Sequence, residues 1–480
     1  MILRMDRRAA LKGMASTITV GASTAILSGC TAAASRPQPT KASGAIEIGV
    51  APDVGALLNN GTAAERAHLF KAVLSKFEEA TPGVRVRYFP YMQGINTMAP
   101  AILSATGPDV FADCCVYGEY AERGLLMNLD SYLRRDNVNL GIWSPSQVHN
   151  FSTGHGTYAL SRNVDSYAFA IRLDILDKLG IAYPSPNWTY KEFSALAAAC
   201  TAPARAGRST RFGVGYQNGY MDLLQIVPGF GGRTTNPSRT MEILSEAGGV
   251  EAGKWMFHEL FWRGSATPST SWSGSGAPNL GNGEVVIQEF QINQLLPSYS
   301  AWRSGFKWAF YPPPQYPTRR SNPVSDDFWG ISATTKHPDQ AWALAKWLAT
   351  SAPFQRMMMK TFLFSPALND LWAEWLHTIE STVPGLKGRN LHWFAVAAQK
   401  GWGVAQPYFR YGSTQAGVVQ GSMWAQLLAR RTSVTAAFKT ADQQVNAIIK
   451  AAQTLQTQTA ATAGLYPTVG PSVAKVLPGQ

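Results

Sequence analysis

Hydrophobic and polar positions from residue 45 onward switch between two periods. Ala45 to Val50 is a short apolar-rich run that predicts a strand. From Ala63 to Ala80 the apolar positions fall at Leu69/Phe70, Val73/Leu74 and Phe77, the spacing of one helix face, and Thr81-Pro82-Gly83 stops the helix. Val84-Arg85-Val86-Arg87-Tyr88 alternates at every second residue, as a half-buried strand does. A helical stretch from Ile95 to Ala105 leads through Gly107-Pro108 into a short strand, Asp109-Val110-Phe111. Strand, helix, strand, helix, strand in that order predicts a parallel sheet with helices on both faces. Ligands of such sheets sit beyond the carboxyl ends of the strands.

Further along, Thr189-Tyr190-Lys191-Glu192 fits a capping box opening a helix that runs toward Ala199. Gly249 to Phe261 is amphipathic through Ala252, Trp255/Met256 and Leu260. Glu284 to Phe290 and Lys307 to Tyr311 read as strands, the second stopped by Pro312-Pro313-Pro314. Pro338 suits the first position of a helix ending near Ala349. Pro268 to Pro278 is a Ser/Thr/Gly loop, and residues 465–480 read as a flexible tail.

Composition narrows the class. The 480 residues are 45% hydrophobic but only 15% charged, against roughly 25% in ordinary soluble domains. With 15 Trp, 17 Tyr and 21 Phe the chain is too aromatic for pervasive disorder, and four cysteines are too few for a disulfide scaffold. One apolar run, Gly13 to Ser28, approaches spanning length, and it follows Arg4, Arg7, Arg8 and Lys12. That arrangement reads as a signal peptide over residues 1–29. Its end, Leu27-Ser28-Gly29-Cys30, resembles a bacterial lipobox, which implies lipid attachment at Cys30. Asp6-Arg7-Arg8-Ala9-Ala10-Leu11-Lys12 is similar to a twin-arginine export motif. Residues 30–44, rich in Ala, Ser, Pro and Thr, would then tether the body to the outer face of the cytoplasmic membrane.

Losing residues 1–29 lowers the net charge from +12 to +9. The remaining bases form pairs rather than stripes, so no nucleic-acid partner is expected. Catalytic signatures are missing. His258-Glu259-Leu260-Phe261-Trp262 has Trp where a zinc-binding helix needs its second His. Gly213 to Gly219 is one residue too long for a dinucleotide loop, and no Gly-x-Ser-x-Gly elbow occurs. No cofactor or metal is expected. Cys114, Cys115 and Cys200 read as small buried residues, with a bridge from Cys200 to one of the pair left open.

Several phrases in chain order resemble the bacterial extracellular solute-binding proteins of ATP-binding-cassette importers, family 1, the sugar-binding type that includes maltose-binding proteins. Phe77-Glu78-Glu79-Ala80-Thr81-Pro82-Gly83-Val84 is similar to that family's first helix and second strand. Gly107-Pro108-Asp109-Val110, then Tyr120-Ala121-Glu122-Arg123-Gly124-Leu125-Leu126 and Leu129-Asp130, resembles its most recognisable stretch. Ala168 to Gly180, Trp188-Thr189 with Phe193, and Phe328-Trp329-Gly330-Ile331-Ser332 with Lys336-His337-Pro338 continue the likeness toward Lys450.

The resemblance implies a two-lobed, periplasmic-binding-protein-like α/β fold of type II, with hinge-linked lobes closing on a ligand. Lobe 1 would comprise 45–162 and 331–385, and lobe 2 163–330 and 386–464. It implies a monomeric, non-enzymatic receptor that binds a mono- or oligosaccharide and delivers it to the importer's permease subunits. By position, it nominates Asp113, Tyr117, Asp165, Asn218, Tyr220, Glu289, Phe290, Asp327, Trp329 and Tyr411 as ligand contacts. Aromatic planes suit the C–H face of a pyranose, and acids and amides suit its hydroxyl rim. Two alternatives stand beside the sugar. One is a polyol phosphate or other anion, which Arg410 could serve. The other is an exported carbohydrate-active hydrolase using two of the acids.

Overall fold

The computed structural model describes residues 45–463 except 53–62, 90–93, 115–116, 154–155, 206–209, 217–218, 268–277, 296–298, 300–304 and 406. The signal and tether segments with Cys30, the tail at 465–480, Cys115, Asn218 and most of the Pro268–Pro278 loop lie outside the described residues.

The strands are β1 (Ile46–Ala51), β2 (Val84–Tyr88), β3 (Val110–Cys114), β4 (Ser152–Thr153), β5 (Gly156–Thr157), β6 (Ala159–Arg172), β7 (Phe212–Gly215), β8 (Ala266–Thr267), β9 (Val285–Gln291), β10 (Trp308–Tyr311), β11 (Asn322–Ile331) and β12 (Gly403–Val404). Their order is β2-β1-β3-β11-β6-β9-β7-β8, with β10 also on β6 and β12 on β11. The opening βαβαβ run forms as its periodicity predicts: the helix spans Ala63–Ala80 and β1 runs parallel to both β2 and β3. The capping box at Thr189 is present, Thr189 and Glu192 satisfying one another's backbone N–H groups. Pro338 opens the helix Pro338–Thr350. The amphipathic stretch near Gly249 is a helix at Ala247–Lys254 that widens into a π-helical segment over Trp255–Phe261.

Strand β6 organises the molecule. Its 14 residues are all buried. Ala159–Ser166 pairs antiparallel with β11, and Tyr167–Ile171 pairs with β9. On its other side Phe169–Arg172 meets β10. One strand therefore serves two sheets. Around the β2-β1-β3-β11 end lies a first core, with Phe70, Phe77, Trp342, Trp372 and Phe394 among its members. Around β7 and β9 lies a second, with Trp188, Phe193, Trp255, Phe257 and Trp424. Leu386, Leu391 and Phe394 pack in the first core, and Met423 to Ala441 in the second.

Two strands, β6 and β11, run between these cores and are bonded to one another. Buried polar side chains sit on them because both faces are covered, and several are held by partners from other segments. Arg162 Nη1 donates to Asp327 Oδ2 at 3.1 Å, both side chains being at most 3% exposed. The guanidinium also lies 4.6 Å from the Phe364 ring centre. Among the described residues no helix is long and apolar enough to cross a membrane. Cys114 and Cys200 are free thiols.

Candidate functional site

A cleft of about 880 Å³ opens between elements of the two cores, within the roughly 300–1,000 Å³ range of small-molecule sites. One wall comes from the helices Tyr117–Glu122 and Pro145–Asn150. Ser144 starts the second with a capping box to Gln147, and Pro145 takes the first helical position. That short, firmly started helix presents Ser146, His149 and Asn150 to the cleft.

The opposite wall is the loop 231–239. Its entry is fixed by close backbone approach: a Cβ on Gly232 would lie 2.6 Å from the Gly249 nitrogen, so only glycine fits. Asn236 then folds the loop on itself, its Oδ1 accepting from Thr240 N at 2.8 Å and Met241 N at 3.1 Å. Arg239, with φ of 56°, stacks 3.9 Å from the Tyr408 ring centre.

The third side is the segment from Lys400 to Tyr408. It is pinned by β12 pairing with β11 and by Gln225 Nε2 donating to the Val404 carbonyl at 2.6 Å. Tyr408 then crosses to the first wall. Its hydroxyl is 3.3 Å from that of Tyr117, and the two rings meet edge to face at 5.8 Å. Alongside, Arg410 Nε pairs with Glu122 Oε2 at 3.1 Å. Beyond Tyr408 a smaller cavity of about 300 Å³ is lined by Tyr220, Met221, Phe409 and Glu119. Tyr408 lines both.

Tyr408 packs on Gly118, where a Cβ would fall 2.1 Å from the ring. Gly118→Ala is expected to push the ring aside and open the partition between the cavities. Helical alanine recovers about 0.5–1 kcal/mol relative to glycine, which offsets part of the displacement. The melting temperature should then move by only a few degrees, while affinity for any small molecule held in the cleft falls about tenfold. Paired melting and titration curves check this; unchanged affinity would mean that Tyr408 does not shape the site.

The residues nominated from sequence separate into groups. Tyr117 lines the larger cleft and Tyr220 the smaller one. Asp113 is 1% exposed, and its Oδ2 accepts from Tyr120 at 2.6 Å and from Gly94 N at 2.9 Å. Asp165, 2% exposed, accepts from Asn293 Nδ2 at 3.1 Å. Asp327 is engaged by Arg162, and burial still pushes its carboxyl up to about 6. Glu289, 1% exposed, lies beside Asp222, and burial pushes it well above the carboxylate range. Phe290 and Trp329 are core side chains with no exposed surface. Tyr411 packs against the small cluster of Phe409, Ala416, Val445 and Ile449. Asn218 lies outside the described residues.

Sequence reasoning missed most of the lining: His149 and Asn150, the 231–239 loop beyond its Gly231-Gly232 entry, Arg319, and residues 400–408. The signals available were the Ser144-Pro145 helix start and the Asn236-Pro237 turn. Among the described residues no tryptophan lines either cavity, and most of the described indoles belong to the cores.

Comparison with known proteins agrees with this architecture. The family model described as bacterial extracellular solute-binding protein matches residues 60–353. An ABC substrate-binding protein of Listeria monocytogenes, solved with cycloalternan, superposes with a TM-score of 0.63 at 18% identity, covering 84% of this chain and 98% of that one. The cyclic α-maltosyl-1,6-maltose binding protein of Arthrobacter globiformis gives 0.66 at 16% identity, over 85% and 100%. UgpB of Mycobacterium tuberculosis, solved with glycerophosphocholine, gives 0.61 at 16% identity, over 86% and 100%.

The fold is the two-lobed periplasmic-binding-protein fold. The chain belongs to the bacterial extracellular solute-binding proteins. As a member of that family it is an exported solute-binding protein, and the family is one of binding proteins.

Proposed function

We propose that the chain is a lipid-anchored receptor, held through Cys30, that captures a polyhydroxylated solute of the sugar or polyol class between its lobes and presents the closed form to permease subunits. The observation that carries this is the cleft between the two cores, walled by hydroxyl and amide groups of Ser146, Asn150, Thr234, Thr235 and Asn236 with Tyr117 and Tyr408 at one end. Such groups exchange hydrogen bonds with ligand hydroxyls as the lobes exclude water. Closure follows from differential affinity: the solute touches both walls only when they approach. Tethering keeps the receptor near its permease and raises its effective concentration.

A hydrolase would need two carboxylates facing the ligand. Among the described residues none lines the larger cleft.

A thermal-shift screen of the chain from Ala45, the start of one compact unit, tests the reading. A ligand at a hundred times its dissociation constant adds about 2.7 kcal/mol to stability, a readily measured shift. Sugars, polyols and their derivatives that shift the transition and are recovered intact support the receptor. Turnover of a glycoside, or no shift across the panel with the protein folded, would defeat it.

A further inference from the structure

The charge on the larger cleft is one-sided. Arg233, Arg239, Arg319 and Lys400 all line it, and no Asp or Glu does among the described residues. Over the whole chain bases exceed acids by only 42 to 30, so the average surface does not produce this segregation. The four cations come from different segments: Arg233 and Arg239 from one wall, Arg319 from the turn after Tyr316, and Lys400 from the end of the helix His392–Gln399. None has a carboxylate within ion-pair distance among the described residues. Arg410, by contrast, is committed to Glu122.

The fields of these groups overlap. His149, on the facing wall, is shifted down by burial and then by the charges of Arg239 and Arg319, which places both guanidinium groups near its ring. Bringing like charges together in a partly enclosed cleft is unfavourable unless something negative occupies it. Guanidinium groups are suited to oxyanions because their N–H forks match carboxylate and phosphate oxygens two at a time.

Resting on the receptor reading, we infer that the solute is not a neutral sugar but a polyol or sugar carrying an oxyanion, a phosphate ester or a carboxylate, held by Arg239, Arg319 and Lys400 between the two walls. Arg233, at the more exposed end of the loop, strengthens the field that draws the anion in. The hydroxyls and amides of the same cleft take the uncharged part.

The test uses matched pairs on the chain from Ala45: glycerol 3-phosphate and glycerophosphodiesters against glycerol, glucose phosphates and glucuronate against glucose, each titrated at low and high salt. At least one charged member should bind tenfold or more tightly than its neutral parent, with affinity falling as salt rises. Phosphate esters and uronates in separate arms tell which oxyanion is used. Arg319→Gln with Lys400→Gln should weaken the charged ligand about 10–100-fold, the loss expected when charge-assisted hydrogen bonds are removed. The fold, checked by melting, should be unchanged because both side chains are exposed. Arg134→Gln, a surface cation on the helix Asp130–Arg135, controls for net charge and should leave affinity within about twofold. Neutral sugars that bind as well as or better than every charged partner would overturn the inference and leave the receptor standing. Failure of both sets to bind folded protein would remove the receptor reading with it.

Discussion

Replacing Arg162 by alanine is expected to lower the unfolding free energy by about 3–5 kcal/mol, because it leaves a buried carboxylate without its cation. Asp327 is 2% exposed on the strand opposite, and Arg162 also donates to Asn163 Oδ1 at 2.9 Å and to the Pro52 carbonyl at 3.4 Å. Even with the guanidinium beside it, burial holds the Asp327 carboxyl at about 6, above its ordinary 3.8. A raised acid pKa contributes stability below the unfolded value that is lost as pH rises, here from about 4 to about 6. Without Arg162 the carboxyl rises further, so the deficit of the variant should grow from pH 5 to pH 8. Urea unfolding at the two pH values measures it. A double variant, Arg162→Met with Asp327→Leu, should recover much of the loss, since a buried ion pair and an apolar pair of similar volume often differ little. A loss below about 1 kcal/mol, the same at both pH values, would show that Asp327 is not the group left stranded.

Glu242→Gln should flatten the pH dependence of stability and make the protein more resistant to denaturant above pH 8. Glu242 is 1% exposed, and its Oε1 accepts from Gln420 Nε2 at 2.6 Å. Its backbone is clamped by Asn446, which accepts from Glu242 N at 2.7 Å and donates to its carbonyl at 3.0 Å. Burial, with the nearby charge of Asp442, pushes the Glu242 carboxyl up to about 8 from 4.5. The folded state therefore holds this proton at neutral pH, and the stability it lends is complete below about 4.5 and lost as pH passes about 8. Glutamine copies the protonated acid in shape and keeps an acceptor for Gln420. The difference between variant and wild type should be small at pH 5 and reach a few kcal/mol by pH 9. Parallel slopes for the two proteins would mean that Glu242 is ionised in the fold.

In the opening β1–β3 run the helix Ala63–Ala80 and β2 were legible because each has one buried face, which periodicity reports. Strands β1 and β3, buried on both faces, were legible as short apolar runs. The first half of strand β6 was not. Its Ser161-Arg162-Asn163-Val164-Asp165-Ser166 carries no apolar pattern, yet all six are buried. Both faces are covered, and the polar groups are answered by partners such as Asp327 and Asn293, so no alternation survives. The same logic explains the site. Acids nominated by position, Asp113 and Asp165, bond to neighbours from distant parts of the chain, Gly94 and Asn293. The cleft cations lie at 233, 239, 319 and 400, separations over which spacing carries no chemical information. Tyr117 was reachable because it follows β3 directly, where the parallel-sheet rule puts ligands.

The central position of β6 also sets the order in which this chain can fold. The strand is complete at Arg172, but its antiparallel partners begin at Val285, Trp308 and Asn322. Until more than a hundred further residues have emerged, Tyr167-Ala168-Phe169-Ala170-Ile171 has both backbone edges open, an apolar strand able to pair with another chain. The first core stays unfinished longer still, because Phe394, Ala395 and Ala398 are part of it. Neither half can be completed and set aside while the other is made, so most contacts arrive late and together. Such a topology folds slowly and favours the help of a chaperone that keeps β6 apart from its neighbours before export.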